Sequence, residues 1–288
     1  MAIESLCALE KASENRDIFE VVLDSDCTDR GVSREASLEK MHALYAAIRR
    51  AREGYDPALH SASGMVGGDG AKMREYVQKG KTICGDYIGQ VIAQALEMGE
   101  SNACMKCIVA APTAGSCGVL PAVLLPYQAR EGLDDNAMVR AMYIAGAIGQ
   151  VVATKASIAG AAGGCQAEIG TASAMGAAAL CYLGGGSAQA VCHAAAIAIK
   201  SMLGLVCDPI AGLVEVPCVK RNAAGAMIAM SSADMALAGI RSAVPPDEVI
   251  LAMREVGDKM DVSLKETGVG GVAGTPFGQK IAEKMGMA

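Results

Sequence analysis

Residues 169–199 read IGTASAMGAAALCYLGGGSAQAVCHAAAIAI, a stretch with many alanines and without a single Asp, Glu, Lys or Arg. Residues 107–129 are equally free of charged side chains. Both stretches reach the length of about 20 mostly apolar residues that a membrane-spanning helix needs. However, glycines 184–186 interrupt the first stretch, prolines interrupt the second, and neither has the Leu, Ile and Phe density that lipid favours. We therefore predict buried central helices of a soluble protein rather than membrane spans.

The composition of the whole chain favours the same fold class. Hydrophobic residues make up 52% of the 288 residues, but aromatic residues make up only 3%, and there is no Trp. The core must therefore be built from aliphatic side chains, Met, Ala and Gly. Ala is the best helix former, whereas strands favour β-branched and aromatic residues. We predict an all-α fold in which residues 1–288 form one compact multi-helix domain and residues 1–30 are peripheral.

Capping residues and apolar spacing predict several individual helices. Ser33 is a good N-cap for a helix that runs to about Ala51, and Gly99 is a good stop for a helix that begins at Asp86. The same signals predict helices over 135–153, 187–203 and 247–260, and a short last helix after Thr275 and Pro276.

The charge distribution excludes one class of partner. Charged residues make up 19% of the chain, the formal net charge is −6, and Lys and Arg are scattered rather than clustered. A nucleic-acid-binding protein would show a basic patch or stripe. The first residues, MAIESLCALEKASENRD, are charged and lack the hydrophobic region of a signal peptide. We predict a cytoplasmic protein that binds neither nucleic acid nor a membrane.

Four glycine-rich, nearly uncharged loops lie between the predicted helices. They are SASGMVGGDGAKM (61–73), APTAGSCGVLP (111–121), AGAAGGCQAEIG (159–170) and CDPIAGLVEVPC (207–218). Loops of a soluble protein are usually polar and exposed. Any one of these loops also fits a tight turn between helices. Together, the four loops predict a crevice in which the backbone is held close to a ligand.

Eleven cysteines are a high number for a chain of this kind. In a reducing cytosol such thiols are buried small hydrophobic groups or metal ligands, and most of them fit the first class. Cys165, Cys207 and Cys218 differ because each lies in a loop beside glycine or proline. Three converging thiolates would suit zinc or an iron–sulfur cluster that keeps one iron open. The CxxC of Cys104 and Cys107 stays open as a redox pair or half of a zinc site.

The glycine-rich loops carry a resemblance to a known family. The segments SGMVGGDGAKM, APTAGSCGVLPAVL, GGCQAEIGTASAMGAAAL and CDPIAGLVEVPCVKRNAAGA closely resemble the α subunit of the iron–sulfur L-serine dehydratases. The resemblance implies a single catalytic α domain with a 4Fe–4S cluster on Cys165, Cys207 and Cys218. It implies conversion of L-serine to pyruvate and ammonia, and a separate β subunit in an α/β hetero-oligomer.

The resemblance also suggests which residues do the chemistry. The open iron would act as a Lewis acid on the departing β-hydroxyl while a general base removes the α-proton. The candidate base is His60, which precedes SASG, and a base on the β subunit is the alternative. Lys72, the other candidate catalytic residue, would bind the substrate carboxylate. Side chains and backbone N–H groups of the loops would bind the substrate. The candidate substrate-binding residues are Ser63, Gly64, Gly67, Gly68, Asp69, Thr113 and Gly115.

Three other functions stay open at this point. A related cluster enzyme could act on L-cysteine or another β-substituted amino acid. A pyridoxal-phosphate dehydratase could use LGGGSAQ (183–189) as a phosphate loop, although no lysine stands in a convincing context for the Schiff base. A non-catalytic helical or membrane protein is the alternative from another class.

Overall fold

A computed structural model describes residues 3–287 and shows an all-α protein. The helices are α1 (Leu6–Ala12), α2 (Ile18–Arg30), α3 (Arg34–Glu53), α4 (Asp69–Gln78), α5 (Gly85–Ala103), α6 (Val119–Glu131), α7 (Asp135–Lys155), α8 (Gly160–Gly163), α9 (Thr171–Leu183), α10 (Ala188–Met202), α11 (Cys218–Leu237), α12 (Pro246–Lys259) and α13 (Pro276–Lys284). Single turns of π-helix (Gln166–Gly170) and 3₁₀-helix (Ile210–Gly212 and Val262–Leu264) lie between them. Apart from one isolated bridge between Cys207 and Lys265, the described chain has no β-structure. The predicted all-α class is confirmed.

Helix α9 is the centre of the molecule. Every residue from 171 to 181 is buried, and the helix packs against α7, α10 and α11. Its small residues make this close packing possible. A Cβ added at Gly176 would lie 3.2 Å from both Ala229 Cβ and Val123 Cγ2. The Ala- and Gly-rich composition therefore serves close helix contacts in place of bulky core side chains.

Most of the predicted helix boundaries agree with the structure. The side chains of Ser33, Asp134 and Ser187 each accept a hydrogen bond from the third backbone N–H after them, as N-caps do. The predicted stop at Gly99 is wrong, because α5 continues to Ala103. The glycine is needed there for packing, since a Cβ at Gly99 would lie 3.2 Å from the backbone of Val219 on α11.

The N-terminal helices are part of the core, although residues 1–30 are predicted above to be peripheral. Leu6 and Leu9 on α1 are completely buried, and Phe19 and Leu23 on α2 are nearly so. The Phe19 ring makes an edge contact with Tyr143 of α7 at a centroid distance of 5.6 Å. Residues 1 and 2 lie outside the described chain, so the correction applies to residues 3–30.

One helix in the described chain, α7, is long and apolar enough to cross a membrane by length and composition alone. Of its most apolar window, 67% is buried inside the molecule. It packs against α2, α3, α9 and α12. Its apolar surface is thus covered by other helices, as in the core helix of a globular protein.

Candidate functional site

The loop before α4 is attached to the segment that leads into α11. The carboxylate of Glu215 is buried and accepts hydrogen bonds from Ser61 Oγ, at 2.6 Å, and from Ser63 Oγ. Ser63 Oγ also accepts a bond from Met65 N at 3.0 Å, which forms a tight turn. Glu215 lies three residues before Cys218 in the chain. The first glycine-rich loop is therefore held against the segment that leads to this cysteine.

Helix α4, which follows this loop, is anchored by Glu100 on α5. Glu100 accepts hydrogen bonds from the backbone N–H of Asp69 at 2.7 Å and of Gly70 at 3.1 Å, and from Tyr55 Oη at 2.6 Å. Both N–H groups lie at the positive N-terminal end of α4, where a carboxylate is favourable. Gly70 allows the contact, since a Cβ there would lie 2.6 Å from Cγ of Glu97.

The loop before α6 is attached to α11 itself. The Asn222 side chain accepts a hydrogen bond from Gly118 N at 2.8 Å and donates one to Gly115 O at 2.8 Å. Asn222 is buried, and a Cβ at Gly118 would lie 3.0 Å from its side chain. The loop containing Thr113 and Gly115 is thus fixed against the first turns of the helix that begins at Cys218.

The cysteines of the other two glycine-rich loops meet inside the molecule. The sulfur atoms of Cys165 and Cys207 and a carboxylate oxygen of Glu168 all lie within 4.8 Å of one another. Both cysteines are buried, and Glu168 is half-buried. Cys218, the first residue of α11, is also buried but lies outside this group of three. It is still close enough to be affected, because burial first and then the charge of Cys165 raise its pKa to about 12.

An arginine on α11 favours a thiolate at Cys165. Arg221 Nη1 donates to Cys165 Sγ at 3.5 Å and to Val206 O at 2.8 Å, and its Nη2 pairs with Asp208 at 2.8 Å. A hydrogen bond from the Cys207 thiol, together with the Arg221 charge, lowers the pKa of Cys165 below that of an ordinary thiol. The same bond raises the pKa of Cys207. Metal ligands must be deprotonated, so the lowered pKa favours the form of Cys165 that can bind a metal.

Glu168 is the functional candidate that the sequence reasoning missed. It belongs to the third glycine-rich loop and lies against the second: Thr113 hydrogen-bonds its carboxylate, and a Cβ at Gly115 would lie 3.4 Å from its Oε2. Burial, followed by the nearby charge of Glu266, raises its pKa. A signal existed in the sequence, since Glu168 is the only acidic residue between positions 136 and 207.

The comparison with known proteins identifies the family. Residues 13–273 match the family described as serine dehydratase alpha chain. The chain belongs to this family. Over 245 residues it is 49% identical to the probable L-serine dehydratase, alpha chain, of Bacillus subtilis, which covers 85% of this chain and 80% of that protein.

Two further members of the serine dehydratase family differ in length. The L-serine dehydratase, alpha chain, of Peptoniphilus asaccharolyticus is 43% identical over 272 residues, covering 88% of this chain and 93% of that protein. The L-serine dehydratase TdcG of Escherichia coli is 45% identical over 183 residues, which are 62% of this chain but only 40% of that protein. The alpha-chain unit thus also occurs as part of a longer polypeptide.

The donor set of this serine dehydratase alpha-chain member is compatible with an iron–sulfur cofactor. Thiolates are the ligands that iron–sulfur clusters and zinc prefer. The backbone at Gly160 closes one side of the thiol group, because a Cβ there would lie 2.7 Å from Cys207 Sγ and 2.9 Å from Glu168 Oε2. Glycine is therefore needed at position 160, because any side chain there would clash with the sulfur and the carboxylate.

The predicted catalytic residues lie elsewhere. His60 is exposed, and its Nδ1 is 3.2 Å from Ala58 O. Lys72 is also exposed and forms an ion pair with Asp69 at 2.9 Å. The sequence predicts a loop at Asp69 and Lys72, but both residues lie on α4. Asp69 also pairs with Lys220 at 3.3 Å, which brings the start of α4 beside α11. No described contact joins His60 or Lys72 to the cysteines.

The predicted substrate-binding residues divide into two groups. Thr113 and Gly115 lie against Glu168, as described above. Ser63 and the glycines at 64, 67 and 68 lie in the loop that Glu215 holds, where Gly67 packs against the backbone of His60. The structure thus brings the first group to the cysteines and places the second beside the start of α11.

The CxxC pair is not part of the group formed by Cys165, Glu168 and Cys207. Cys104 is half-buried and Cys107 is exposed. Within residues 3–287, the only group of three metal-ligating side chains that meet is Cys165, Glu168 and Cys207. The half-site at Cys104 and Cys107 therefore has no third ligand on the described chain.

Proposed function

We propose that this chain is the catalytic α subunit of an L-serine dehydratase. Loss of the α-proton and the β-hydroxide from L-serine gives water and 2-aminoacrylate, which tautomerises and is hydrolysed to pyruvate and ammonia. The observation that carries the proposal is the meeting of Cys165, Cys207 and Glu168 in one buried group. It stands in a chain whose relatives are named L-serine dehydratase.

We propose a 4Fe–4S cluster as the cofactor, with Cys165, Cys207 and Cys218 as its ligands. All three thiols are buried, and they are presented by two loops and the start of α11. Arg221 supports the proposal, because its hydrogen bond and charge favour a thiolate at Cys165. When bound, such a cluster supplies an open iron that stabilises the departing β-hydroxide as a Lewis acid.

Glu168 is our proposed proton acceptor. A substrate bound next to the sulfurs of Cys165 and Cys207 would also lie next to its carboxylate, which is within 4.8 Å of both. Thr113 holds this carboxylate by a hydrogen bond. His60 stays a prediction for proton transfer, and Lys72 and the 63–69 loop stay predictions for substrate binding.

The partner and the cellular location are also part of the proposal. Relatives named alpha chain imply a second, β polypeptide, so we propose an α/β hetero-oligomer. We also propose a cytoplasmic location, and the buried apolar face of α7 is typical of a globular protein.

The substrate is tested by assaying the cluster-loaded chain, with and without the β polypeptide, on L-serine and L-cysteine. We expect equal amounts of pyruvate and ammonia from L-serine, with a higher kcat/KM than for L-cysteine. A higher kcat/KM for L-cysteine than for L-serine would show that L-cysteine is the preferred substrate. No turnover of either amino acid by an α/β sample that carries iron would overturn the proposed function.

A further inference from the structure

A cavity of about 840 Å³ lies apart from the cysteine site, between α3, α4, α5 and α6. None of its lining residues belongs to the four glycine-rich loops. Its volume falls within the range of small-molecule sites, about 300–1,000 Å³. The lining contains seven arginine or glutamine side chains, which can all donate hydrogen bonds: Arg49, Arg52, Arg74, Gln78, Gln90, Gln94 and Gln128.

Of the three arginines in the lining, Arg52 is the one that forms no ion pair on the described chain; its side chain is exposed, and its charge acts on the buried carboxylate of Glu97. Arg74 binds Glu97 through Nε at 2.7 Å and Nη2 at 2.5 Å, and Arg49 pairs with Asp135 at 3.0 Å. Arg52 uses only its Nε, which donates to Gln94 Oε1 at 3.0 Å. Its two terminal nitrogens have no partner on the described chain. A guanidinium in this state offers the planar pair of donors that fits a carboxylate.

A buried amide beside Arg52 supports a ligand site. Gln94 is only 4% exposed, lines the cavity, and its Nε2 has no hydrogen-bond partner on the described chain. A buried donor without an acceptor is unfavourable, and such groups are rare in folded proteins. An acceptor oxygen that enters beside Gln94 and Arg52 would satisfy both side chains.

The apolar part of the lining determines the rest of the ligand. It is formed by Val77, Ala93, Leu125, Pro126, Ala129 and Leu133. Ligand sites typically combine such an apolar wall with a few polar groups that fix the orientation. We propose that this cavity is a second binding site, for a small carboxylic acid with an apolar body, whose carboxylate is bound by Arg52 beside Gln94.

The test uses a matched pair of probes, 4-methylpentanoate and its neutral amide, 4-methylpentanamide, on the full 288-residue chain. Binding is measured by saturation-transfer NMR and calorimetry. We expect saturable binding of the acid, at least about tenfold tighter than binding of the amide, because only the acid pairs with Arg52. Equal affinity for both probes, or no saturable binding of the acid at about 20 mM, would overturn the proposal.

Three variants locate the binding. Arg52→Gln removes the charge and should weaken binding of the acid by about 10- to 100-fold. Arg50→Gln is the matched control, since this neighbouring arginine is exposed and does not line the cavity. Ala129→Trp fills the cavity from its exposed rim and should abolish binding without touching the donors. Unchanged affinity in both Arg52→Gln and Ala129→Trp would also overturn the site.

Discussion

At the residue level, the contact between Cys165 and Cys207 is the basis of the proposed cofactor site. We expect Cys165→Ala, Cys207→Ala and Cys218→Ala each to lose bound iron and L-serine turnover, because each removes one thiolate ligand. Iron per chain and pyruvate formation, measured anaerobically, check this. The control is Cys84→Ala, which removes an exposed thiol and should keep both. Full iron content in any of the first three variants would remove that cysteine from the ligand set.

Glu168 gives a second prediction for a single residue. We expect Glu168→Gln to lower kcat by about 10²- to 10⁴-fold, the usual contribution of a general base, while iron per chain is unchanged. His60→Gln and Lys72→Gln are the matched comparison, because both side chains are exposed and make no described contact with the cysteines. Loss of iron in Glu168→Gln would assign the carboxylate to cofactor binding. A similar fall in kcat for His60→Gln would assign the role of the base to His60, which directly precedes the first glycine-rich loop.

The two kinds of site residue differ in how far sequence can predict them. The loop context singles out Cys165, Cys207 and Cys218, and the resemblance to the serine dehydratases makes these three the candidate ligands. Glu168 and Arg221 act through contacts between segments far apart in the chain, such as the bond from Arg221 to Cys165 across 56 positions. No local pattern contains such a contact, so exposed residues of the glycine-rich loops are the candidates that sequence offers instead.

At the level of helices, some glycines allow close packing between helices, whereas others have no neighbour and only weaken their helix. A pair of substitutions separates these two cases. A Cβ at Gly225 would lie 2.8 Å from Ile169 Cγ2 and 3.0 Å from Ser173 Oγ, whereas at Gly146 it would meet nothing within 4 Å. We expect Gly225→Ala to destabilise the protein by about 1–3 kcal/mol through overpacking. Gly146→Ala should stabilise it by about 0.5–1 kcal/mol, because alanine is the better helix former. Urea unfolding measures both changes, and shifts of the same sign would contradict the packing described for α11.

The attachment of α4 gives another prediction at this level. Glu100→Ala leaves the N–H groups of Asp69 and Gly70 and the Tyr55 hydroxyl without their acceptor. We expect a loss of about 2–4 kcal/mol in the free energy of unfolding. Glu75→Ala on α4 is the control, because the Glu75 carboxylate is exposed and pairs only with Lys79. Equal melting temperatures for the two variants would show that Glu100 does not anchor α4.

Which helices were predictable depended largely on their first residues. The helices that begin at Arg34, Asp135 and Ala188 follow a Ser or Asp whose side chain caps the first turn. In contrast, α4, α6, α9 and α11 have no side-chain cap. Helix α9 simply continues from the π-turn at Gln166–Gly170. Without a cap, a helix inside a Gly-rich, apolar stretch looks like a loop in the sequence.

For the whole molecule, burial divides the eleven cysteines into reactive and protected thiols. Burial raises the pKa of Cys117 to about 12 and that of Cys181 to about 11, so both stay protonated at pH 8. Cys7, Cys84 and Cys107 are exposed. We expect iodoacetamide at pH 8 to label these three within minutes and to leave Cys117 and Cys181 unmodified until the protein unfolds. Peptide mass mapping, with a urea-unfolded sample as the control, reads the result; early labelling of Cys117 would contradict the packing of α5 on α6.

The overall fold class follows from composition, since a chain so rich in Ala and so poor in aromatics packs best as close helices. How the four glycine-rich loops meet does not follow from it. That depends on Glu215, which ties the first loop to the fourth, and on Asn222 and Arg221 of α11, which tie the second and third loops to this helix. The proposed site is therefore a property of the assembled helices rather than of any one loop.

The most direct measurement is the iron and sulfide content of the anaerobically purified chain, with and without its β partner, together with pyruvate formation from L-serine in the same samples. We expect about four irons and four sulfides per α chain, as a 4Fe–4S cluster requires, and pyruvate formation that is lost when air destroys the cluster. A requirement for the β polypeptide would place part of the site on that chain. An iron-free protein that converts L-serine at full rate, or an α/β sample with neither iron nor turnover under strict anaerobiosis, would contradict the proposed role of Cys165, Cys207 and Cys218.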